Sequence, residues 1–311
     1  TLKTIMKLRS LLPTLGLAFA LCNFVTAEES ITPDINSPEA GIKAIDARLE
    51  AKIKAGLEAP AEFAEEAALY DELLVKFADD KSDAVANVAY EQAYFTFQFL
   101  EDDATAAKQA EAIKVNFPGT ETVAKADKLL ALIVRVQEGR KIQANLIGQT
   151  APELNFIWSS REGLKTLSSL KGQVVVLDFW ATWCGPCIRS FPDARELAAK
   201  FKDTPVVILG VTSIQGRVSN MGPRIDTKGD PEKEMGLMPE FMKLKDMTWD
   251  VVFSEEKVFN PDYGVTGIPN LEIIAPDGTV RHTGIHPADK EADIAGKIIA
   301  ILKEFNLPVP E

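Results

Sequence analysis

Cys184 and Cys187, in Trp183-Cys184-Gly185-Pro186-Cys187, are the residues of this chain best suited by type and spacing to chemistry. A thiol reacts as its thiolate. Such a pair works when one sulfur is held at a depressed pKa and the other can reach a mixed disulfide formed on it. Cys184 comes directly after the apolar, β-branched run Gln173 to Trp180 and opens a segment of helical periodicity. Backbone N–H groups and the helix dipole favour an anion there, and an accessible sulfur is expected. Cys187 falls one turn later and deeper, within reach of a disulfide on Cys184. Gly185 permits a tight entry, and Pro186 suits a first helical turn, where no N–H is missed. The competing reading is half of a zinc site completed by His282 and His286. However, 94 residues separate Cys187 from His282, whereas compact Cys2His2 sites use about 12–15.

The rest of the composition bears on where such a pair would operate. Two domains of ordinary size fit in 311 residues, and 46% hydrophobic with 26% charged residues is the balance of a soluble globular protein. A net charge of −12 argues against nucleic acid and anionic membrane surfaces as partners. Met6-Lys7-Leu8-Arg9 is a basic start, Leu11 to Phe24 a mostly apolar run, and Val25-Thr26-Ala27 a small-residue site ahead of Glu28-Glu29. This is the layout of a signal peptide, residues 1–27, cleaved after Ala27. The run is short for a membrane span and broken by Pro13 and Asn23, so an uncleaved anchor facing the periplasm is the alternative. Bulky Leu21 speaks against a lipid anchor at Cys22. Cleavage removes Lys3, Lys7 and Arg9 but no acid, moving the net charge from −12 to −15. It also removes Cys22 and leaves Cys184 and Cys187 alone. A bridge across Cys-x-x-Cys closes almost no loop, so its value is chemical and not structural.

Along the mature chain, residues 28–37 read as a polar lead-in and residues 38 to 143 as helical throughout. Ser37-Pro38-Glu39 caps a helix with Ile42, Ile45, Leu49 and Ile53 on one face. Further helices follow Pro60 and Ser82, run from Asp103 to Asn116, and start at Thr120; the connections are short enough for antiparallel hairpins. Phe117-Pro118 weakly resembles the end of a tetratricopeptide-type repeat. This expected all-helical domain, 28–145, holds 23 acids against 13 bases. It reads as a packing domain with a solvated acidic face, or as a module for partner binding or self-association. Beyond it the pattern changes to a mixed α/β domain, 146–311. Short strands are expected at Ala151–Phe156 and Leu164–Leu167, and buried strands at Gln173–Trp180 and Pro205–Val211. Between these two lies one amphipathic helix, from Cys184 to Phe201, which makes a right-handed parallel crossover. A polar insertion at 213–247 contains a helix from Pro231 to Lys245. Strands near 250–253, at Asn270–Ala275 and at Val280–Thr283, and a helix from Asp289 to Phe305, complete the domain.

Asp178-Phe179-Trp180-Ala181-Thr182-Trp183-Cys184-Gly185-Pro186-Cys187 resembles the active-site segment of thioredoxins. With the signal peptide and Ala151-Pro152-Glu153-Leu154, the resemblance is to the exported TlpA/ResA-type branch and covers roughly residues 146–308. It implies a thioredoxin-like α/β fold, a central mixed sheet flanked by helices, here preceded by the all-α domain. Pro192 matches the helix-kinking proline of that fold. Gly267-Ile268-Pro269 matches the segment whose proline is cis and faces the cysteines, with the Ile268 backbone pairing with a bound peptide. Ser190 departs from ResA-like members, which usually place a Glu there. Asp178 instead takes the place of the buried Asp of cytosolic-type thioredoxins. A carboxyl inside VVVLDFW is costly to bury unless protonated or partnered, and a raised pKa would let it accept the proton of Cys187. The alternative is a water-linked acid without a role. Asn270 stands where many relatives carry Thr.

The reading is an exported, periplasmic protein–disulfide oxidoreductase serving cell redox homeostasis. Cys184 is the nucleophile, Cys187 resolves, Asp178 accepts the proton, and Trp183, Gly185, Pro186, Ile268 and Pro269 contact substrate. The Gly-Pro dipeptide resembles that of reducing thioredoxins, so reduction of substrate protein disulfides is favoured, with an inner-membrane electron donor and no cofactor or metal. Trp180 serves packing as readily as substrate, and His282 and His286 are expected at the surface. The alternative function is a redox-switched partner-binding module whose helical domain carries the main role. A peroxidase lacks its expected residues here.

Overall fold

A computed structural model describes residues 36–310 except Glu58. The expected signal peptide and Cys22 lie outside the described residues. The chain divides into two compact units, Thr1–Arg135 and Val136–Glu311.

The described part of the first unit is helical: α1 (Pro38–Lys54), a short 3-10 turn at Pro60–Phe63, α2 (Ala64–Lys76), α3 (Asp83–Phe99), α4 (Asp103–Asn116) and the start of α5 (Thr122–Leu146). Ser37 caps α1 by accepting the Ala40 N–H at 3.2 Å. Ile45, Leu49, Tyr70, Phe95 and Phe99 are fully buried, so packing of one apolar stripe per helix holds the unit together. Buried Glu66 is held by Arg48 Nε at 3.0 Å and Lys52 Nζ at 2.7 Å. Helix α5 passes through Gly139 and runs to Leu146. Gly139 is buried on it, since a Cβ there would lie 2.7 Å from the Gly264 carbonyl oxygen. The glycine serves close packing within the second unit and does not stop the helix.

The second unit is built on a six-stranded sheet in the order β1-β6-β3-β2-β7-β8. Its strands are β1 (Phe156–Ser159), β2 (Val174–Phe179), β3 (Val206–Thr212), β6 (Asp250–Ser254), β7 (Asn270–Ile274) and β8 (Val280–Ile285). Strands β2, β3 and β6 are parallel, while β1, β7 and β8 join antiparallel. This is the expected thioredoxin-like mixed sheet. Every residue of β2 is buried, as a continuous apolar run requires when both faces of a strand are covered. Val174, Val176 and Trp180 point into a core with α7 (Phe191–Lys200) and α9 (Ile294–Glu304). Val175, Leu177 and Phe179 point into the opposite core with Leu154, Leu167 and Tyr263.

Four expectations change. The hairpin at 151–167 reduces to a single bridge between Asn155 and Thr166 plus a 3-10 turn at Leu167–Leu170; β1 lies later and pairs with β6. The helix from Cys184 to Phe201 is two helices, α6 (Gly185–Arg189) and α7, broken at Ser190 because Pro192 has no N–H to continue the ladder. The final helix begins at Ile294, capped by Asp293 accepting the Gly296 N–H at 3.0 Å. The insertion is no polar appendage. It forms a small hairpin, β4 (Arg217–Val218) and β5 (Ile225–Asp226), and helix α8 (Pro231–Leu244), and it sends Val218, Met238, Phe241 and Met247 into the core that holds the cysteines. Their spacing is too irregular for the pattern to show from sequence.

Gly210, opposite Asp178 on β3, has no room for a side chain: a Cβ would stand 2.9 Å from the Trp180 Nε1 and 3.1 Å from that of Trp249. Gly210→Ala is expected to cost roughly 1–3 kcal/mol through displaced indoles. Urea unfolding of the full chain measures it, and an unchanged midpoint would show that the two tryptophans yield freely.

Candidate active site

The reactive segment begins where β2 ends. Residues 180–183 turn out of the sheet, the Cys184 N–H closes that turn on the Ala181 carbonyl at 2.9 Å, and Cys184 becomes the N-cap of α6. The Cys187 N–H donates to Cys184 Sγ at 3.1 Å. Such a donor stabilises a thiolate, because it is satisfied by negative charge on sulfur. Pro186 sits in the first turn of α6, as its missing N–H allows. The two sulfurs are joined in a disulfide. The accessible sulfur expected at Cys184 is not found in this oxidised state: Cys184 is 3% and Cys187 1% exposed. One reason is the Ile268–Pro269 segment, whose peptide bond is cis and whose Ile268 carbonyl oxygen lies 3.7 Å from Cys184 Sγ. The structure thus brings together Cys184, Gly185, Pro186, Cys187, Ile268 and Pro269.

Asp178 is 2% exposed and shares its sheet face with Val176 and Trp180, on the side where both cysteines are buried. Its Oδ1 has no hydrogen-bond partner among the described residues. Burial away from water, with no compensating cation, pushes its pKa up to about 7. Ser190, the position expected to carry Glu in ResA-like members, is buried, and its hydroxyl donates to the Cys187 carbonyl at 2.9 Å. Trp180 is fully buried against Phe191, with ring centroids 5.3 Å apart. It is therefore a core residue.

Trp183 is half-buried beside the cysteines and is positioned by the insertion. Its indole N–H donates to Gln215 Oε1 at 3.0 Å, and the Arg217 guanidinium lies 5.3 Å from its ring. Gln215 and Gly216 donate their backbone N–H groups to buried Glu234 of α8, each at 2.8 Å. Asn220 donates to the Thr182 carbonyl at 2.6 Å. No sequence signal marks Gln215, Asn220 or Glu234, since the contacts that give them this role span 18 or more residues. Asn270, which had no assigned effect, bridges two elements. It accepts from Gln143 Nε2 of α5 at 3.2 Å and donates to Glu272 Oε1 at 2.6 Å. Glu272 is fully buried on the other sheet face. Desolvation pushes its pKa up to about 8 against the opposing hydrogen bonds from Asn270 and the Gly284 N–H. His286 is exposed as expected, while His282 is half-buried on β8.

A family model described as Redoxin matches residues 146–299. A Thiol-disulfide oxidoreductase ResA of Bacillus cereus is 30% identical over 146 residues, 47% of this chain and 73% of that protein. The chain belongs to the ResA-like thiol–disulfide oxidoreductases of the thioredoxin superfamily. The Protein SUPPRESSOR OF QUENCHING 1, chloroplastic, of Arabidopsis thaliana is 27% identical over 141 residues, 45% of this chain but only 12% of that protein. A crystal structure described as a putative Thiol:disulfide interchange protein DsbE from Chlorobium tepidum is 32% identical, covers 50% of this chain and 97% of that one, and has a TM-score of 0.36. In this ResA-like chain the family match begins at residue 146, the last residue of α5, so Gln143 precedes it.

The raised pKa of Asp178 has a consequence for stability. Its folded value, about 7, lies above the ordinary 3.8. The folded state therefore binds a proton that the unfolded state releases between those pH values, and stability falls as pH rises through that window. In urea titrations of the oxidised protein at pH 4.5 and 8, wild type should lose up to about 3–4 kcal/mol more than Asp178→Asn. Equal losses would mean that the carboxyl is not dehydrated. Glu272 acts with the same sign and extends the decline towards pH 8 in both proteins.

Proposed function

We propose that this chain is an exported, periplasmic oxidoreductase that reduces disulfides of other proteins through Cys184 and Cys187. The observation that carries the reading is the setting of Cys184: its sulfur accepts the Cys187 N–H at 3.1 Å beside the cis-proline edge, 3.7 Å from the Ile268 carbonyl. In the reduced protein the Cys184 thiolate attacks one sulfur of the substrate disulfide and expels the other as a thiolate, which leaves a mixed disulfide. Asp178, of raised pKa, takes the proton of Cys187. The Cys187 thiolate then attacks Cys184 Sγ and releases the second substrate sulfur. Two electrons have passed to the substrate, and the chain is left with the Cys184–Cys187 disulfide. An inner-membrane dithiol protein is the proposed donor that reduces it again. Ile268 offers backbone groups for strand-like pairing with the substrate, while Trp183, Gly185, Pro186 and Pro269 border the reacting sulfur.

Export rests on the basic, apolar and small-residue layout of residues 1–27. Among the described residues no helix is long and apolar enough to cross a membrane. The boundary of the helical domain at about 145 is likewise a proposal, and its acidic helices are suited to docking a partner or a second copy. The Gly-Pro dipeptide supports the reducing direction. The Cys184–Cys187 couple should then have a potential near that of thioredoxin, about −270 mV, when equilibrated with glutathione or dithiothreitol; a value near that of DsbA, about −120 mV, would overturn reduction. In stopped-flow trapping, Asp178→Asn should slow release of the second thiol by roughly a hundredfold or more, and slow formation of the mixed disulfide much less. Equal effects on both steps would remove Asp178 as the proton acceptor.

A further inference from the structure

Arg189 is the last residue of α6. A cation in that position ordinarily covers the free carbonyls at the helix C-terminus. Arg189 instead reaches back along its own helix: a Cβ on Gly185 would stand 3.3 Å from Arg189 Nη1. Gly185 adjoins Cys184, and any side chain there would crowd the guanidinium. Among the described residues, Arg189 Nε and Nη2 are buried without a hydrogen-bond partner. Desolvation lowers the pKa of this cation, and no carboxylate opposes the effect. Helix α6 itself contains no acid. Ser190, the next residue, gives its hydroxyl to the Cys187 carbonyl at 2.9 Å.

A partly dehydrated guanidinium without an anion is costly. Reduction of the disulfide supplies the anion, since a Cys184 thiolate carries its charge beside Gly185. Helix α6 spans only five residues, so few aligned peptide dipoles add to the Cys187 N–H that already meets this sulfur at 3.1 Å. The other charged groups around the site are committed or set back. Arg217 of β4 lies 5.3 Å from the Trp183 ring. Glu234 of α8 accepts from Gln215, Gly216 and Thr227. Asp193 and Arg195 of α7 pair with Lys290 and Asp246. Arg140 and His286 line the cleft at Ile268 and Pro269, each with interactions of its own. Asp178 of β2 is buried in the core on the cysteine side of the sheet.

Resting on the oxidoreductase reading, we propose that Arg189 is the fixed counter-charge of Cys184 and stabilises its thiolate in the reduced protein. It acts through the sulfur and needs no contact with substrate, which makes it a positioning residue of the redox site. Stabilising the reduced form also makes the potential of the couple less negative than it would be without this cation.

The test uses the full-length reduced protein as wild type, Arg189→Gln, Arg189→Lys and Lys200→Gln, the last removing one exposed charge from α7. Alkylation of Cys184 by iodoacetamide is followed against pH, with the modified peptide identified by mass spectrometry. Repeating the series in an Asp178→Asn background separates the sulfur from the coupled titration of the buried carboxyl. Arg189→Gln should raise the midpoint by roughly half to one pH unit, the size expected of one charge near a partly solvated group, and move the potential to more negative values. Arg189→Lys should keep the midpoint close to wild type, and Lys200→Gln should leave it unchanged. An Arg189→Gln midpoint equal to that of wild type would overturn the proposal, as would an equal rise in Lys200→Gln. If Arg189→Gln does not fold, Arg189→Lys decides: a midpoint raised by about half a unit or more overturns the counter-charge, and a smaller rise supports it. Reduction of insulin is measured alongside. Wild type that leaves insulin disulfides intact would sink the oxidoreductase reading, whatever the midpoints show.

Discussion

The second unit depends on one strand that has no contact with water. Strand β2 lies between β3 and β7 with all six residues buried, so its backbone is fully paired and its direction is set. The chain leaving it must pass over the end of the sheet, and the first residues free to turn carry Cys184 into the start of α6. The same burial dehydrates Asp178, which has no cation to offset the loss of water, and its proton is retained to about pH 7. A cysteine at a helix start and a dehydrated carboxyl on the same side of the sheet are thus two results of a single constraint.

Around that strand the sheet holds two buried acids on opposite faces with different duties. Asp178 faces the core that contains both cysteines and has an unpartnered oxygen among the described residues. Glu272 pairs in register with Leu177, on the other face; its Oε1 accepts from Asn270 and Gly284, while its Oε2 also has no hydrogen-bond partner among the described residues. The first is dehydrated on the cysteine side of the sheet; the second is hydrogen-bonded to the residue after the cis-proline.

The insertion and α5 act as outer supports for the shared thioredoxin-like site. Glu234 collects two backbone N–H groups of the loop that presents Gln215, and Gln215 fixes the Trp183 indole. Helix α5 reaches the cis-proline segment through Gln143. Both supports come from segments distant in sequence from the disulfide, as does the Ile268 carbonyl beside Cys184.

The local features were legible in the sequence because their causes are local. The Cys-x-x-Cys pair after an apolar β-branched run, the parallel partner strand of Val206–Thr212, the Ser37 cap and the adjacent strands β7 and β8 each follow from neighbours a few residues apart. Asp178 belongs with them, since an acid inside such a run must be buried whatever covers it. What only the tertiary structure decided involves partners distant along the chain. The close approach of Gly139 to Gly264 has no local signal, the insertion reads as polar until Met238 and Phe241 are found in the core, and Asn270 has no role until Gln143 and Glu272 meet it. Periodicity records which face of an element is apolar, but not which remote element will cover it, and the support of this site is made of such remote contacts.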